Sequence, residues 1–399
     1  MTNTDSDKKK IFVFANSILF DKVISGGDII FPQIANFWKK NDLEIHVITT
    51  IRGKRLWQQI GIDAQFYLLP HNLFEKIERI YIVPIVYVLR AIYAIFFVIP
   101  QFIRLAPGPC IIYTSSDFLP DVLPAFLFRH GYKGGTWLAR VFHIIKPPYQ
   151  RKGNSIFNFL SYIGQRFSFL FIRGADQIVT LSGTQQKLSE MKFPKERIFI
   201  SDIGIDIANI NKSTPYNSCF EGIYIGGILS NKGAYDLLYI WQKVIKERPY
   251  AKLAIIGGAT EQIINDFRLL INKLGLNKNV TYFGFVKESL QVYGILKSSL
   301  IYLCPGHENG FSISVAEAMT CGIPVVAYKL DMFGRAFMKG FITVEMHDIK
   351  GFASQVLQLL SEPEERIVLS KIAIEEARKF SWPKIAESFE KNIKQLLNR

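Results

Sequence analysis

The sequence is poor in cysteine and histidine, and neither residue forms a cluster. Its 399 residues include four cysteines and six histidines. Because Cys110, Cys219, Cys304 and Cys321 stand far apart, no CxxC pair or Cys/His grouping indicates a zinc site. Three of the four lie in apolar runs and are interpreted as buried thiols, which are typical of a reducing compartment.

The N-terminus lacks the apolar core of a secretion signal. It reads MTNTDSDKKK and then enters a predicted strand, IFVFA, at 11–15. A secretory signal needs an apolar stretch directly after its charged residues and a small-residue cleavage site. We therefore expect a cytoplasmic location.

Acidic residues are scarce, above all in the first half of the chain. The whole sequence carries 48 Lys and Arg against 34 Asp and Glu, a net charge of +14. Residues 1–175 hold 21 basic and 11 acidic residues, net +10, and the remainder holds 27 and 23, net +4. Such an excess indicates an anionic partner: nucleic acid, an anionic membrane surface or an anionic substrate. No DNA- or RNA-binding module accompanies the charge, so we expect no nucleic-acid partner.

Short β-branched runs alternate with longer helical patterns, which predicts an α/β protein with parallel sheets and crossover helices. The predicted strands of a first series are 11–15, 45–50, 110–114, 137–142 and 177–181. After about residue 210 the pattern restarts, and its strands are 222–226, 252–257, 280–284, 299–303 and 323–327. The polar stretch 211–218, NKSTPYNS, is interpreted as an interdomain linker. The sequence thus predicts a first domain over 1–210 and a second over 211–380.

One apolar segment, residues 80–105, is long enough to span a bilayer. Arg90 near its middle, Pro84 within it, and the need to keep one sheet on one side of a membrane argue against a span. Two interpretations stay open: a helix buried in the first domain, or a helix with one face on the domain and the other in the lipid interface.

Three glycine-rich loops follow predicted strands and precede helices. The first is Ser25-Gly26-Gly27-Asp28, and the second is GGILSNKG at 226–233, which contains Lys232. Glycines there let backbone N–H groups approach a phosphate, and the helix N-terminus adds a favourable dipole. Tight turns and a solvated lysine explain the same residues without a ligand, although a cation at a helix start favours a bound anion.

The third loop, PGHENGFSISVAEAM at 305–319, is the most specific. A strand ends, a glycine loop turns, and a helix begins near Ser314, at the edge of the sheet where α/β folds bind ligands. Glu317 comes at the end of the first helical turn, where a carboxylate suits bidentate bonding to a ribose diol. Taken alone, it is better explained as a helix-start glutamate that interacts with the helix dipole, and only the surrounding motif favours the ribose contact.

The order and spacing of these motifs resemble family 4 of the retaining glycosyltransferases. The resemblance runs over nearly the whole length, and the segments that carry it are Gly26-Gly27, Phe142-His143, Ala175-Asp176 with Ser182, 203–206, Lys232-Gly233, Gly257-Gly258, 283–286, 309–319, 321–326 and Phe380-Ser381-Trp382. It implies a GT-B fold: two Rossmann-like parallel-sheet domains facing across a cleft, with a C-terminal helix, 381–399, crossing back to the first domain. It also implies sugar transfer from a nucleotide-sugar donor, linked to UDP or GDP, with no other cofactor and no metal.

The resemblance implies a role for each motif. The nucleotide base lies by Phe285, Val286 and Gly258, the ribose lies on Glu317, and Gly27 closes over the phosphate from the first domain. The implied catalytic residues, which contact the transferred sugar or the diphosphate, are His143, Lys232 and Asn309. The implied donor-binding residues are Gly26, Gly27, Gly227, Gly258, Phe285, Val286, Gly310, Phe311, Ser312 and Glu317.

Two positions depart from the family pattern. The family usually has arginine where Gly227 stands and glutamate where Asn309 stands, and here a glutamate, Glu308, comes one position early. Asparagine still hydrogen-bonds a sugar hydroxyl but carries no charge. A non-catalytic relative, which binds a nucleotide sugar or a partner enzyme, is therefore the competing hypothesis.

The expected chemistry needs no metal, because Lys232 and helix dipoles neutralise the developing diphosphate. No Asp-x-Asp pair stands in a setting that would hold a metal, as the GT-A alternative requires. Since no enzymic nucleophile is evident, we expect front-face attack. The apolar segment 80–105 and the basic first half predict a glycan or lipid-linked acceptor and a peripheral position on the inner face of the cell membrane.

Overall fold

The structure, a computed structural model, describes residues 9–17, 26–38, 43–62, 64–70, 83–106, 108–151, 155–308 and 311–398. The chain divides into two compact units: Met1–Ile203 with Trp382–Arg399, and Gly204–Ser381. The division falls before the predicted boundary at 210–211, because the helix Ile207–Lys212 packs against helices of the second unit. Residues 211–218 therefore follow the boundary and do not form it.

The first unit is built on a seven-stranded sheet in which all neighbouring strands are parallel. The strand order is β3-β2-β1-β4-β5-β6-β7. The strands are β1 (Lys9–Ala15), β2 (Leu43–Thr49), β3 (Gln65–Leu68), β4 (Cys110–Thr114), β5 (Gly135–Val141), β6 (Gln177–Thr180) and β7 (Ile198–Ile200). The order reverses between β1 and β4, so a crevice opens at the carboxyl ends of these two strands.

Helices cover both faces of this sheet. They are α1 (Gly26–Asn36), α2 (Ile51–Ile60), α3 (Val83–Leu105), α4 (Leu119–Gly131), α5 (Ser155–Ile172), α6 (Gln185–Glu190) and the C-terminal α14 (Trp382–Leu397). On one face, Phe31 of α1 and Phe389 of α14 pack against Tyr113 of β4. On the other face, Phe12 of β1 packs against Phe102 of α3 and Phe128 of α4. Alternating strand residues thus supply two apolar layers, as the pleat of a strand requires.

Helix α3 covers most of the apolar segment and is, among the described residues, the one helix long and apolar enough to cross a bilayer. Its middle is a π turn, Ala94–Val98, where the N–H of Ile99 bonds to the carbonyl of Ala94. One face, including Val86, Ala94 and Phe102, belongs to the main core of the first unit. The opposite face is exposed, so α3 is not a fully buried helix.

The second unit is built on a six-stranded parallel sheet of order β10-β9-β8-β11-β12-β13. Its strands are β8 (Phe220–Ile225), β9 (Leu253–Ile256), β10 (Val280–Gly284), β11 (Ser299–Cys304), β12 (Val325–Tyr328) and β13 (Phe341–Val344). Its helices are α7 (Ile207–Lys212), α8 (Ala234–Glu247), α9 (Glu261–Lys273), α10 (Ser289–Lys297), α11 (Ile313–Thr320), α12 (Ile349–Ser361) and α13 (Pro363–Ala377). The order reverses between β8 and β11, which makes a second crevice of the same kind.

The two predicted Rossmann-like sheets are confirmed, and all ten predicted strands are present within two residues of their expected ends. Three strands were missed: β3, β7 and β13. Each is three or four residues long, stands at the edge of its sheet and is mostly only half-buried. Such short edge strands lack the continuous apolar run that identifies a central strand.

Candidate active site

In the second unit, the loops after β8 and β11 lie side by side, because their strands are neighbours in the sheet. The loop after β8 contains Gly227 and Lys232, and the loop after β11 leads into α11. Gly233 holds the two loops together: its φ is +74°, and a Cβ there would lie 1.8 Å from the carbonyl oxygen of Pro305. No other residue type fits at this position.

A second glycine brings the loop after β9 against the loop after β8. Gly257 has a φ of +153°, and a Cβ there would lie 1.8 Å from the carbonyl oxygen of Gly226. The neighbouring Gly258 accepts a hydrogen bond of 3.1 Å from the N–H of Ile228. The loops after β8 and β9 are therefore in direct backbone contact at this edge of the sheet.

Lys232 lies at the end of a 3₁₀ turn, Ser230–Lys232, directly before Gly233. Burial lowers the pKa of Lys232, and the nearby carboxylate of Glu308 opposes that effect. Glu308 in turn accepts a hydrogen bond of 3.0 Å from the side-chain amide of Asn231. A half-buried ammonium at a sheet edge is suited to an anionic ligand, because its desolvation is already partly complete when the ligand arrives.

The loop after β11 ends in a capped helix. The hydroxyl of Ser312, the N-cap of α11, accepts a hydrogen bond of 3.4 Å from the N–H of Val315. Phe311 is buried between Phe337 and Phe380, with ring centroids 5.2 and 5.1 Å away. This packing anchors the start of α11, whose N-terminal dipole favours a negative charge. Asn309 and Gly310 lie outside the described residues.

Glu317 lies one turn into α11. Its Oε1 accepts a hydrogen bond of 3.1 Å from the hydroxyl of Tyr293 in α10. Burial raises the pKa of Glu317 to about 7, although the bond from Tyr293 acts in the opposite direction. One carboxylate oxygen is thus engaged within the protein, and the side chain retains further acceptor capacity for a ligand hydroxyl.

The residues predicted to bind the base follow β9 and β10. Phe285 is 76% exposed, and its Cβ lies 3.4 Å from the position that a Cβ on Gly258 would take. Val286 beside it is half-buried. An exposed aromatic ring next to a residue without a side chain leaves a flat apolar surface, which suits a heterocyclic base.

Gly227 leaves room for a larger residue. A Cβ there would make only ordinary contacts, 3.6 Å from Leu229 Cδ1 and 3.7 Å from the carbonyl oxygen of Gly258. Its φ lies outside the left-handed region. The missing arginine is therefore not explained by lack of space.

A cluster that the sequence analysis missed includes His307 of the loop after β11. Asp236 Oδ2 lies 3.0 Å from His307 Nε2, 3.4 Å from His347 Nδ1 and 3.2 Å from the hydroxyl of Tyr328. These contacts lower the pKa of Asp236, although burial opposes them. The carboxylate and the two imidazoles have the ligand types and spacing of a metal site. Because they are 40 or more residues apart in sequence, no spacing motif indicates them.

In the first unit, Gly26 and Gly27 are the first two residues of α1, which follows β1. His143 lies two residues beyond the end of β5 and is exposed. The predicted first-unit residues therefore follow β1 and β5, on either side of β4, at the carboxyl edge of their own sheet.

The turn that carries His143 is held by Gln165 of α5, which is 1% exposed. The Gln165 amide donates to Asp117 Oδ2 at 2.5 Å and to the carbonyl of His143 at 2.7 Å, and it accepts from the N–H of Ile145 at 2.8 Å. Burial raises the pKa of Asp117, and the proximity of His143 opposes this. Asp117 and Gln165 were both missed, although Asp117 follows a predicted strand and Gln165 is a polar residue in an apolar helix.

A second buried network ties α3 to the same edge. Asp121 accepts from the N–H of Asn16 and from the hydroxyl of Ser116, both at 2.5 Å. Arg90 of α3, 1% exposed, donates to the carbonyl of Asn16 at 2.5 Å. The guanidinium of Arg90, in the middle of the apolar helix, thus makes its hydrogen bond inside the first unit, next to the end of β1.

Residues 208–376 match the model of the family described as glycosyl transferases group 1. An uncharacterized glycosyltransferase of Haemophilus influenzae is 28% identical over 211 residues, which are 51% of this chain and 56% of that protein. The chain spans about half the length of the curated relatives it matches.

Two solved structures resemble the whole chain. A glycosyltransferase from Rickettsia africae superimposes with a TM-score of 0.72 at 17% identity, covering 98% of this chain and 99% of that one. The Anabaena protein HepE, solved in complex with UDP, gives a TM-score of 0.70 at 13% identity, covering 97% and 100%. At such identities the likeness concerns the fold, and it confirms the GT-B class that the sequence resemblance implied.

Proposed function

We propose that the protein, whose residues 208–376 match the model of glycosyl transferases group 1, is a retaining glycosyltransferase of family 4. It moves a hexose from a UDP- or GDP-linked donor to a glycan or a lipid-linked acceptor. The Anabaena neighbour was solved with UDP, which supports a uridine nucleotide as the first donor to test.

One observation carries the proposal: Lys232 and the capped N-terminus of α11 follow β8 and β11, the neighbouring strands between which the order of the second sheet reverses, and Glu317 lies one turn into α11. The half-buried ammonium and the helix dipole are complementary to a diphosphate. The carboxylate of Glu317 is complementary to a ribose diol. The exposed ring of Phe285 lies at the end of β10, two strands away, where a base can stack.

In the proposed reaction the bond between the sugar and the diphosphate breaks, and the acceptor hydroxyl attacks from the same face. Negative charge then grows on the leaving phosphate, and Lys232 and the α11 dipole stabilise it. The leaving phosphate takes the acceptor's proton, so the protein needs neither a nucleophile nor a metal. His143 contacts the transferred sugar, and the bonds of Gln165 fix the turn from which it projects.

The proposed acceptor is lipid-linked, with the protein bound peripherally to the inner face of the cell membrane. The net charge of +10 over residues 1–175 and the exposed apolar face of α3 support this. Basic charge on the acceptor-side domain complements anionic headgroups or a lipid diphosphate.

The deciding experiment is a screen of UDP- and GDP-sugars with the full chain. Binding is measured by calorimetry, and sugar release and transfer by product analysis with water-soluble and lipid-linked acceptors. We expect one nucleotide series to bind and to transfer with retention of anomeric configuration. If donors bind but neither transfer nor hydrolysis occurs across the screen, the non-catalytic alternative is correct.

Asn309 supplies a second test of whether the site is active. If it hydrogen-bonds a hydroxyl of the transferred sugar, Asn309→Ala lowers kcat more than it changes nucleotide affinity, because the nucleotide is bound elsewhere. Asn309→Glu is not expected to improve the enzyme, since Glu308 next to it repels a second charge. Equal losses of kcat and of nucleotide affinity in Asn309→Ala would argue against this role.

A further inference from the structure

Two helices of the first unit expose apolar stripes with the same spacing. Helix α3 exposes Ile85, Val88, Leu89, Ile92 and Phe96. Helix α5 exposes Ile156, Phe159, Leu160, Ile163 and Phe167. Both series step by three, one, three and four residues, which places each series along one side of its helix. A helix on the surface of a water-soluble domain normally presents its polar side at these positions.

The two stripes belong to one side of the molecule. Helix α4 packs between α3 and α5, and all three cover the same face of the sheet. Leu127 of α4 is itself 40% exposed and continues the apolar surface between the stripes. We call the exposed sides of α3, α4 and α5 the apolar face. Apolar surfaces of this extent on a soluble domain indicate an interaction site.

The charged residues of the segment that forms the apolar face are mostly basic. Residues 83–175 contain ten Lys and Arg and two Asp, with no Glu. Both acids, Asp117 and Asp121, are buried, as are the basic residues Arg90 and Arg140. Eight basic residues remain, and one of them, Arg129, is paired with Asp176 at 2.7 Å, so basic side chains outnumber acidic ones on this part of the surface.

We infer that the apolar face docks the protein onto an anionic lipid bilayer, with α3 and α5 lying in the plane of the interface. An apolar surface accompanied by an excess of positive charge matches lipid with anionic headgroups. The same charge disfavours a second copy of this chain, since two such faces would bring like charges together. The inner face of α3 belongs to the core, and Arg90 bonds to the end of β1, so α3 docks without crossing the bilayer.

The apolar face also reaches the edge of the sheet where His143 lies. The hydroxyl of Tyr87, near the start of α3, donates to the carbonyl of Ser17 beyond β1 at 3.1 Å. Gln165 of α5 bonds to the carbonyl of His143 at 2.7 Å. If the protein transfers sugar as proposed above, docking brings a lipid-anchored acceptor to this edge without its apolar chain leaving the membrane.

The test is flotation of the full chain with vesicles of phosphatidylglycerol and phosphatidylcholine in equal parts, at low salt. Wild-type protein is expected to float with these vesicles, and to float less with pure phosphatidylcholine or at high salt. Phe96→Glu combined with Phe167→Glu is expected to weaken partitioning about tenfold or more, because apolar contacts are lost and negative charge is added. The matched control is Leu269→Glu, an equally exposed apolar residue on α9 of the second unit.

Folding of the variants is checked by circular dichroism and by melting temperature. Phe96 and Phe167 are 69% and 47% exposed, so their replacement leaves the core intact. Should the double variant not fold, Ile85→Ser with Leu170→Ser tests the same face with smaller side chains. In wild-type protein, vesicles are expected to slow hydrogen exchange in 83–105 and 155–172 and not in 261–273.

Three results would overturn the inference. The wild-type protein could fail to float with anionic vesicles at low salt, or the double variant could float as well as wild type. The wild-type protein could also prove to be a dimer that the double variant abolishes, which would make the apolar face an interface between two copies. UDP affinity is expected to be unchanged in the double variant. A protein that floats through this face but transfers no sugar keeps the inference and removes the proposed function. A protein that transfers sugar to a soluble acceptor but does not float keeps the proposed function and removes the inference.

Discussion

Tyr293 of α10 donates a hydrogen bond of 3.1 Å to Glu317 Oε1 on α11, and thereby fixes the carboxylate at the edge of the second sheet. Burial raises the pKa of Glu317 to about 7. The side chain proposed to bind the ribose therefore changes charge near neutral pH.

Donor affinity is expected to rise as pH increases from about 6 to about 8, because the ionised carboxylate is the better acceptor for a diol. Glu317→Gln is expected to bind the donor more weakly at the upper end and to remove the pH dependence. Titration of UDP-sugar affinity in both proteins checks this. A wild-type profile that persists in Glu317→Gln assigns the titration to another group.

The stability of the folded protein is expected to fall with rising pH, whereas donor affinity is expected to rise. The folded protein retains the Glu317 proton up to about pH 7, whereas the unfolded chain releases it near 4.5. Stability therefore falls as pH rises through this window. At pH 8, Glu317→Gln is expected to melt at a higher temperature than wild type, and below pH 4.5 the two are expected to melt alike. Equal melting temperatures at both pH values would mean that the carboxyl is well solvated.

Lys232→Ala is expected to lower kcat/KM by about a hundredfold, because it removes the ammonium from the leaving diphosphate. The exposed Lys273→Ala on α9 is the control and is expected to transfer like wild type. Steady-state kinetics with a productive donor measure both. Unchanged kcat/KM in Lys232→Ala would remove this residue from the mechanism.

Gly227→Arg and Gly233→Ala are expected to act in opposite directions. A Cβ at Gly227 meets nothing closer than 3.6 Å, so an arginine fits and adds a cation beside the diphosphate, which is expected to raise donor affinity. A Cβ at Gly233 lies 1.8 Å from Pro305, so even alanine forces the two loops apart and is expected to abolish donor binding. Calorimetry with UDP measures the change in nucleotide affinity, and the melting temperature shows whether either variant is less stable than wild type. A Gly233→Ala protein with normal affinity would contradict the role given to this glycine.

Gln165→Leu is expected to lower kcat about tenfold or more with little change in donor affinity, because the turn carrying His143 loses two hydrogen bonds and Asp117 loses one. Gln165→Glu replaces the amide donor with a second acceptor oxygen, and its new charge lies against Asp117, so it is expected to be no better than Gln165→Leu. Kinetics on a soluble acceptor measure the split between kcat and KM. Loss of donor affinity equal to the loss of kcat would indicate a general structural defect.

Treatment with EDTA is expected to leave transfer unchanged, since the proposed chemistry uses no metal. Asp236, His307 and His347 are the described residues that form a metal-like group. His347→Ala, which changes the most exposed member, therefore serves as the companion variant. Metal independence would be overturned if EDTA abolished wild-type activity and Zn²⁺ restored it, while Zn²⁺ failed to restore activity in His347→Ala.

The sequence by itself determined the two sheets and most of the second-unit site. Central parallel strands are buried on both faces, so β1, β4, β8 and β11 appear as continuous apolar runs. Glycine loops between such a strand and a helix identified the segments that carry Lys232, Ser312 and Glu317. These features are local, and a local pattern is visible in a single sequence.

Only the tertiary structure decided which distant residues meet. The contact of Gln165 with Asp117, the Asp236–His307–His347 cluster and the closeness of Gly233 to Pro305 all join residues that are 40 to 111 positions apart in the sequence. The sequence left open whether the apolar helix near Arg90 is buried or borders lipid. The structure shows that one face of this helix belongs to the core of the first unit, and that a second apolar stripe, on α5, lies on the other side of α4. Hydrophobicity alone does not tell a core-facing residue from a solvent-facing one when both sides of a helix are apolar.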